Sequence, residues 1–500
     1  MSKKTHYTFT ILFLLFLLVM PLHAWAQGVG GCDASFVTLG GKAIEVSPTG
    51  IDDTDNIQCA LDAVKSLPGG TPGVRLSAGD FFISSIVVEN YKGYFQGETR
   101  DTTSVIVLNG SIDCAAMEAA GQTPSAIKFI RGEPIVRFMQ IELGFESTSG
   151  PATVKRVGRG LSKPEAAQIT SACAAGGMLE NFLHFTGTSA DDPACIHDVI
   201  FPVVDRVYMV GPGRETWVMN GISITPEGEY MNGCKNTLLG RALVNQSWIG
   251  YFTRGVVTSL RGAGDVDISK SVLWNNTVAV HITNANQNTM MTNNLVDTVD
   301  GGPDSFYAAG VFISTDRVDA PAENAVVVAR NTFRLVSTGG EMMDAINFSN
   351  TGDGQQNLAA TIRDNIFLLD ASNVVGLWSR GVSSGTVADN RFEGSAWTGV
   401  SIFTENGMTD RGWTLTDNGD LRELDTGRAD FQVGADVFGT FGGDGQFPTI
   451  WDAGADSIFL GVVLPSNNLL NTSTNSSKVA LPQINDRDRS QKFLALLKKK

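Results

Sequence analysis

The residues whose types could do chemistry gather between His281 and Arg380. Six similar segments span that stretch: Gly255-Val-Val-Thr-Ser259, Ala279-Val-His-Ile-Thr283, Gly310-Val-Phe-Ile-Ser314, Ala345-Ile-Asn-Phe-Ser349, Gly376-Leu-Trp-Ser-Arg380 and Gly399-Val-Ser-Ile-Phe403. Read as strands, their alternation sends Val256, Val280, Val311, Ile346, Leu377 and Val400 to one side. Val257, His281, Phe312, Asn347, Trp378 and Ser401 go to the other. If the strands stack, the second set is one outward column. Ser259, Thr283, Ser314, Ser349, Arg380 and Phe403 form the next. Aromatic faces beside His, Asn and Arg suit a sugar, because pyranose C–H faces pack on rings while polar neighbours take the hydroxyls. Phe312, Asn347, Trp378 and Arg380 are therefore the expected substrate-binding residues. The same pattern also fits a surface over which a long loop packs.

The segments around Phe312 and Asn347 carry extra residues on both sides, 297–305 with 315–323 and 337–343 with 350–357, which could wall a groove. Asp297, Asp300, Asp304, Asp316, Glu341, Asp344 and Asp353 lie in or beside these walls. That is enough for an acid/base carboxylate pair of the glycosidase kind, although acids in exposed loops usually serve solvation. An eliminating enzyme would instead need a base and a cation, for which His281 and Arg380 are nearest. Asp316, Asp344 and His281 are the catalytic candidates.

The element that positions these residues is a repeat. From Val244 onward an apolar residue is followed, three positions on, by Asn or Ser, and two further on by another apolar residue. The instances are Val244/Ser247/Ile249, Ile268/Ser271/Leu273, Met291/Asn294/Val296, Val328/Asn331/Phe333, Ile362/Asn365/Phe367 and Val387/Asn390/Phe392, with a weak last copy at Leu415/Asn418. The polar positions are 24, 23, 37, 34, 25 and 28 residues apart. That period with short alternating strands fits one turn of a parallel β-helix. It does not fit a leucine-rich horseshoe or a propeller blade. Asn294, Asn331, Asn365 and Asn390 are expected to be structural: Asn tolerates a turn backbone, and its amide can bond the Asn above and below. In the column just before them, Arg330 beside Asp364 reads as a surface ion pair.

Upstream, Asp53-Thr-Asp-Asn-Ile57-Gln-Cys-Ala-Leu61-Asp-Ala-Val64 predicts a short amphipathic helix over about 53–66. A Gly-rich turn and Val74-Arg-Leu-Ser-Ala-Gly-Asp-Phe-Phe-Ile-Ser84 follow it. Together with coils ending in Asn-x-Phe, this arrangement resembles the pectate-lyase-like right-handed parallel β-helix superfamily over roughly residues 50–465. The resemblance implies an all-β, right-handed parallel β-helix solenoid with a short N-terminal capping helix. It does not imply one activity, since the superfamily holds lyases, hydrolases, epimerases, tailspikes and non-catalytic proteins. No complete catalytic signature of its enzymes is present. No His is flanked by glycines, Asp52-Asp53 belongs to the capping helix, and Arg131-Gly-Glu-Pro134-Ile-Val-Arg137 has one residue too many to match the lyase motif. The reading is thus a polysaccharide-binding or -processing protein, a lyase or hydrolase if an enzyme; the alternative is a structural or adhesive β-helix.

The ends and the composition bound this further. Lys3 and Lys4, the apolar run Phe9–Met20 and Ala24-Trp25-Ala26 read as a signal peptide over 1–26, with the solenoid over 27–465 and a polar linker and tail over 466–500. The expected location is secreted or periplasmic, with no membrane contact after signal removal. Net charge is −15, or −17 without Lys3 and Lys4, which argues against nucleic acid. Six cysteines in an exported chain favour disulfides, with 15 possible pairings. Irregular stretches over 146–178 and 187–198 carry Cys173 and Cys195 and read as long loops that disulfides would restrain. No Cys-x-x-Cys pair supports zinc, so neither metal nor other cofactor is expected.

Overall fold

The computed structural model describes residues 27–41, 43–66, 73–108, 110–146, 154–156, 173, 179–187, 198–212, 220–225, 238–261, 265–283, 288–299, 307–315, 324–336, 342–350, 358–370, 373–380, 384–403, 411–416, 418, 424–433, 438–442, 450–452 and 458–460. One helix, α1 (Thr54–Ser66), precedes the coils. It buries Ile57, Ala60, Leu61 and Val64, the i, i+3, i+4, i+7 face of an amphipathic helix. The fully buried Asp53 carboxylate accepts from Thr49 N (2.6 Å) and Phe82 N (3.0 Å), which ties the helix start to the first coils. Gln58 adds bonds to Val87 N and O.

The rest is a right-handed parallel β-helix. Each full coil contributes three short strands, such as Ala242–Asn245, Trp248–Gly250 and Arg254–Thr258, and each pairs in parallel with its counterpart one coil on. The strands used below meet in one of the three sheets, the first and last with only part of their length: β1 (Ser125–Arg137), β2 (Asn181–Thr186), β3 (Asn220–Ile224), β4 (Arg254–Thr258), β5 (Val278–Thr283), β6 (Tyr307–Thr315), β7 (Met342–Asn350), β8 (Val374–Arg380) and β9 (Arg391–Phe403). Val256, Val280, Val311, Ile346, Leu377 and Val400 point inward and are buried. Val328, Ile362 and Val387 join the same core with Phe333, Phe367 and Phe392, whose rings stack at 5.1 and 4.5 Å. Close approach of the next coil explains the glycines that open the repeated strands, since a Cβ on Gly255, Gly310 or Gly376 would lie 2.4 to 2.6 Å from a backbone carbonyl there. A Cβ on Gly310 would meet the Phe333 ring at 3.1 Å, and one on Gly376 would meet the Phe392 ring at 2.6 Å.

The corner of the coil differs from the sequence expectation in one respect. The left-handed residue is not the ladder Asn but the one before it: Gln246, Lys270, Asn293, Arg330, Asp364 and Asp389 have φ of 49 to 57°. The Asn that follows supplies hydrogen bonds the turned backbone cannot. Asn365 Oδ1 accepts from Asn331 N (2.9 Å) and Asn331 Nδ2 (3.1 Å), while its Nδ2 donates to Val328 O (2.8 Å) and Asn390 Oδ1 (2.9 Å). The pattern runs from Asn294 through Asn331, Asn365 and Asn390 to Asn418. Ser271 and Ser247 extend it upstream with single bonds. The expected Arg330–Asp364 pair is not formed: Arg330 Nε donates to Asn293 Oδ1 (3.3 Å), and Asp364 pairs with Arg363 (3.6 Å).

Two disulfides lie among the described residues. Cys32–Cys59 fastens the amino-terminal turn to α1, and Cys114–Cys173 ties Cys173 to the segment in which Ile112 also bridges it. Cys195 and Cys234 lie outside the described residues. No described helix is long and apolar enough to cross a membrane.

Replacing Asn365 with Ala leaves buried groups of two neighbouring coils unpaired and should lower unfolding free energy by about 1 to 3 kcal/mol. Urea denaturation of the variant beside the parent checks this, and coincident curves would refute the ladder's energetic role.

Candidate functional site

The outward column follows from backbone register. Val257 pairs with His281, His281 with Phe312, Phe312 with Asn347, Asn347 with Trp378 and Trp378 with Ser401, one residue per coil. At a strand spacing of about 4.8 Å, His281 and Asn347 lie roughly 10 Å apart, with Phe312 between them. Thr283, Ser314, Ser349, Arg380 and Phe403 are aligned in the same way, which places Arg380 two residues beyond Trp378 on β8. Asp316 lies outside the described residues, as do Asp300, Asp304, Glu341 and Asp353.

The column is not an open aromatic platform. Phe312, Trp378 and His281 are half-buried, Asn347 is 6% exposed and Val257 3% exposed. Strand alternation assigns each side chain a side, but not what the rest of the chain lays over it. The His281 ring meets the Phe312 ring edge to face, centroids 5.0 Å apart. Asp344 is buried and accepts from Asn347 Nδ2 at 2.7 Å, so that carboxylate is joined to the column through an amide. Within the column, His281 Nδ1, His281 Nε2 and Asn347 Oδ1 are buried without a hydrogen-bond partner. Burial, and then the charge of Arg254, push the His281 pKa down to about 3, so the ring is neutral at ordinary pH. A neutral imidazole offers one donor and one acceptor, or a base. Asp297, expected in the groove wall, sits on another sheet in register with Trp274 and Arg334, and pairs with Arg334 at 3.1 Å.

The same column continues towards the amino terminus through residues that sequence reasoning missed. Val257 pairs with Ser223, Ser223 with His184 and His184 with Lys128. All three are buried, Lys128 and His184 completely. His184 Nδ1 lies 3.2 Å from Ser125 Oγ, and its Nε2 lies 3.1 Å from Thr225 Oγ1. Desolvation, and then the Lys128 charge, lower its pKa to about 3. The available signal was the likeness of Asn181-Phe-Leu-His-Phe-Thr186 to Val278-Ala-Val-His-Ile-Thr283; insertions obscured it, Asn181 following its counterpart Ser125 by 56 residues. Arg131 and Arg137, ends of the near-miss lyase motif, lie six residues apart on β1. Arg131 adopts φ 60°, and the Arg137 guanidinium lies over the Tyr94 and Phe138 rings with its Nε donating to Gln96. No group of three described His, Cys, Asp or Glu residues could hold a metal ion.

No protein-family model matches the chain, and no curated protein matches it. Among solved structures it is similar to PfbA, a surface adhesin of Streptococcus pneumoniae, with a TM-score of 0.44 and 13% identity over 82% of this chain and 88% of that one. It is also similar to the A-module of the Azotobacter vinelandii mannuronan C-5 epimerase AlgE4, with a TM-score of 0.37 and 14% identity over 82% and 96% of the two chains. A third is a hyperthermoactive exopolygalacturonase from Thermotoga maritima, with a TM-score of 0.33 and 11% identity over 84% and 92%.

The two lowered histidine pKa values set a pH dependence. Below about 6.5 the unfolded chain protonates each His, whereas the folded chain does so only near 3. The folded state then binds fewer protons, so the stability these groups contribute is complete above about 6.5. It is lost as pH falls from there towards 3, by at most about 1.4 kcal/mol per pH unit for each His. His184→Gln should show a shallower fall in urea midpoint over that window than the parent, and parallel falls would reject the assignment.

Proposed function

We propose that the chain is an exported β-helix protein that binds or processes polysaccharide along the column His281, Phe312, Asn347 and Trp378. The observation that carries this reading is the set of unpartnered buried atoms on His281 and Asn347, which flank an aromatic ring in one register column. A buried polar group left unpaired costs about 1 to 3 kcal/mol, so its presence here is explained when a ligand completes it. Ring faces beside such atoms suit a sugar: Phe312 and Trp378 would pack its C–H surface, and the imidazole and amide would take its hydroxyls. His281, neutral and unpaired at both ring nitrogens, is the group best suited to move a proton. Asp344 would act by orienting Asn347. Asp316 and Arg380 remain candidates as further acid and cation. The signal-like amino terminus and the disulfides support an extracytoplasmic location, where glycans are the abundant polymers.

Incubation of the exported protein with a panel of neutral and uronic polysaccharides tests this reading, scoring reducing ends, unsaturated products and retention separately. Reducing ends alone indicate hydrolysis, unsaturated products elimination, and retention without cleavage a binding protein; no change with any polymer rejects the reading. Trp378→Ala should weaken glycan affinity by about 1 to 3 kcal/mol through lost stacking area. A variant that loses stability but keeps the parent's affinity would show that Trp378 only packs against its surroundings.

A further inference from the structure

Between His184 and His281 this face of the sheet holds a cation that the reading above does not use. We infer that Asn220, Arg254 and His281 form a subsite for a carboxylate-bearing sugar unit; the inference rests on the glycan reading of this face and specifies what it recognises there.

The geometry comes from a second register column, three residues before the outward one. Ser125 pairs with Asn181, Asn181 with Asn220, and Asn220 with Arg254; three coils further on the same column holds Asp344. These positions sit where the chain enters the sheet, and the Ser125 and Asp344 side chains reach the outward column. Ser125 Oγ lies 3.2 Å from His184 Nδ1, and Asp344 accepts from Asn347. Arg254 stands to His281 as Ser125 stands to His184, one coil earlier and three residues back, and its longer side chain brings a charge to bear on the imidazole.

Each member of the trio lacks something a ligand could supply. Asn220, 7% exposed, donates its Nδ2 to Asn181 Oδ1 at 2.9 Å on the preceding coil; its Oδ1, at the opposite side of the amide, has no partner. Both His281 nitrogens are unpaired. Arg254 is half-buried and makes no hydrogen bond or ion pair with any described residue, whereas the comparably enclosed Arg334 is held by Asp297. A neutral sugar would leave the guanidinium uncompensated. A bare carboxylate would satisfy the guanidinium, whose fork matches it in a bidentate pair, but would leave Asn220 Oδ1 without a donor. A sugar acid has both parts: its carboxylate faces Arg254, and its hydroxyls donate to Asn220 Oδ1 and exchange hydrogen bonds with His281. The local cation matters because the chain carries −15 overall and would otherwise repel an acidic polymer.

Calorimetric titration of the exported protein with oligogalacturonate, oligomannuronate and oligoglucuronate tests the subsite. Each is paired with its carboxyl-reduced counterpart, and a sulfated neutral oligomer is added. At least one uronate should bind about tenfold or more tighter than its reduced form, the scale of a charged hydrogen bond. Arg254→Gln should erase that preference, and Arg254→Lys should restore part of it. Equal binding of acidic and reduced oligomers by the parent overturns the subsite but leaves the glycan reading standing. Binding of none overturns both, and a preference for the sulfated oligomer overturns the carboxylate assignment. The parent comparison decides even if Arg254→Gln fails to fold, because it needs no variant.

Discussion

Register between coils is the constraint on which the rest of the molecule depends, and the corner amides hold it. A parallel strand pair can slip by a residue at small local cost unless something fixes its phase, and a slip of one would send every outward side chain into the core. At the corner the backbone turns left-handed for a single residue and interrupts the regular strand bonds. The next side chain bridges the gap, binding a backbone N–H one coil earlier with its oxygen and a carbonyl there with its nitrogen. An Asn is long enough to do both; Ser271 and Ser247 manage a single bond to the earlier coil, at 3.2 Å. Five coils locked in this way bring His281, Phe312, Asn347 and Trp378 into one line without any direct contact between distant members.

This also explains what could be read from the sequence. The ladder was legible because its function demands one residue type at one position. The left-handed residues were not. They are Gln, Lys, Asn, Arg and Asp, with no glycine to mark them, since their side chains leave the corner towards solvent and the amide ladder compensates the backbone. The amino-terminal coils escaped the repeat because Met139 and Val207 occupy the position that Asn takes later, and because long insertions separate their strands. His184 and Lys128 therefore read as scattered residues, although they belong to the column of His281. Exposure was beyond the pattern altogether: alternation placed Asn347 outward, yet it is 6% exposed.

The column is not uniform along its length, and the difference separates architecture from recognition. At the Lys128–His184 end the His184 ring nitrogens both meet partners, and Ser223 Oγ meets Thr225 Oγ1 at 2.9 Å. A buried network completed in this way resists change, because moving any member unpairs another in a medium of low dielectric. From Asn220 to Asn347 the same face keeps its burial but not its completeness. Since the coils repeat the same backbone, that contrast arises from side chains alone: Arg254 where a Ser or Asn stood in earlier coils, and His281 without the Ser and Thr that hold His184. A solenoid can vary one coil without disturbing the next, so this stretch can carry incomplete polar groups while the core beneath it, built on Val256, Val280 and Val311, remains closed. Rigid support below and unmet hydrogen bonds above are what a preorganised binding surface requires, because the cost of ordering the site is met by folding and not by the ligand.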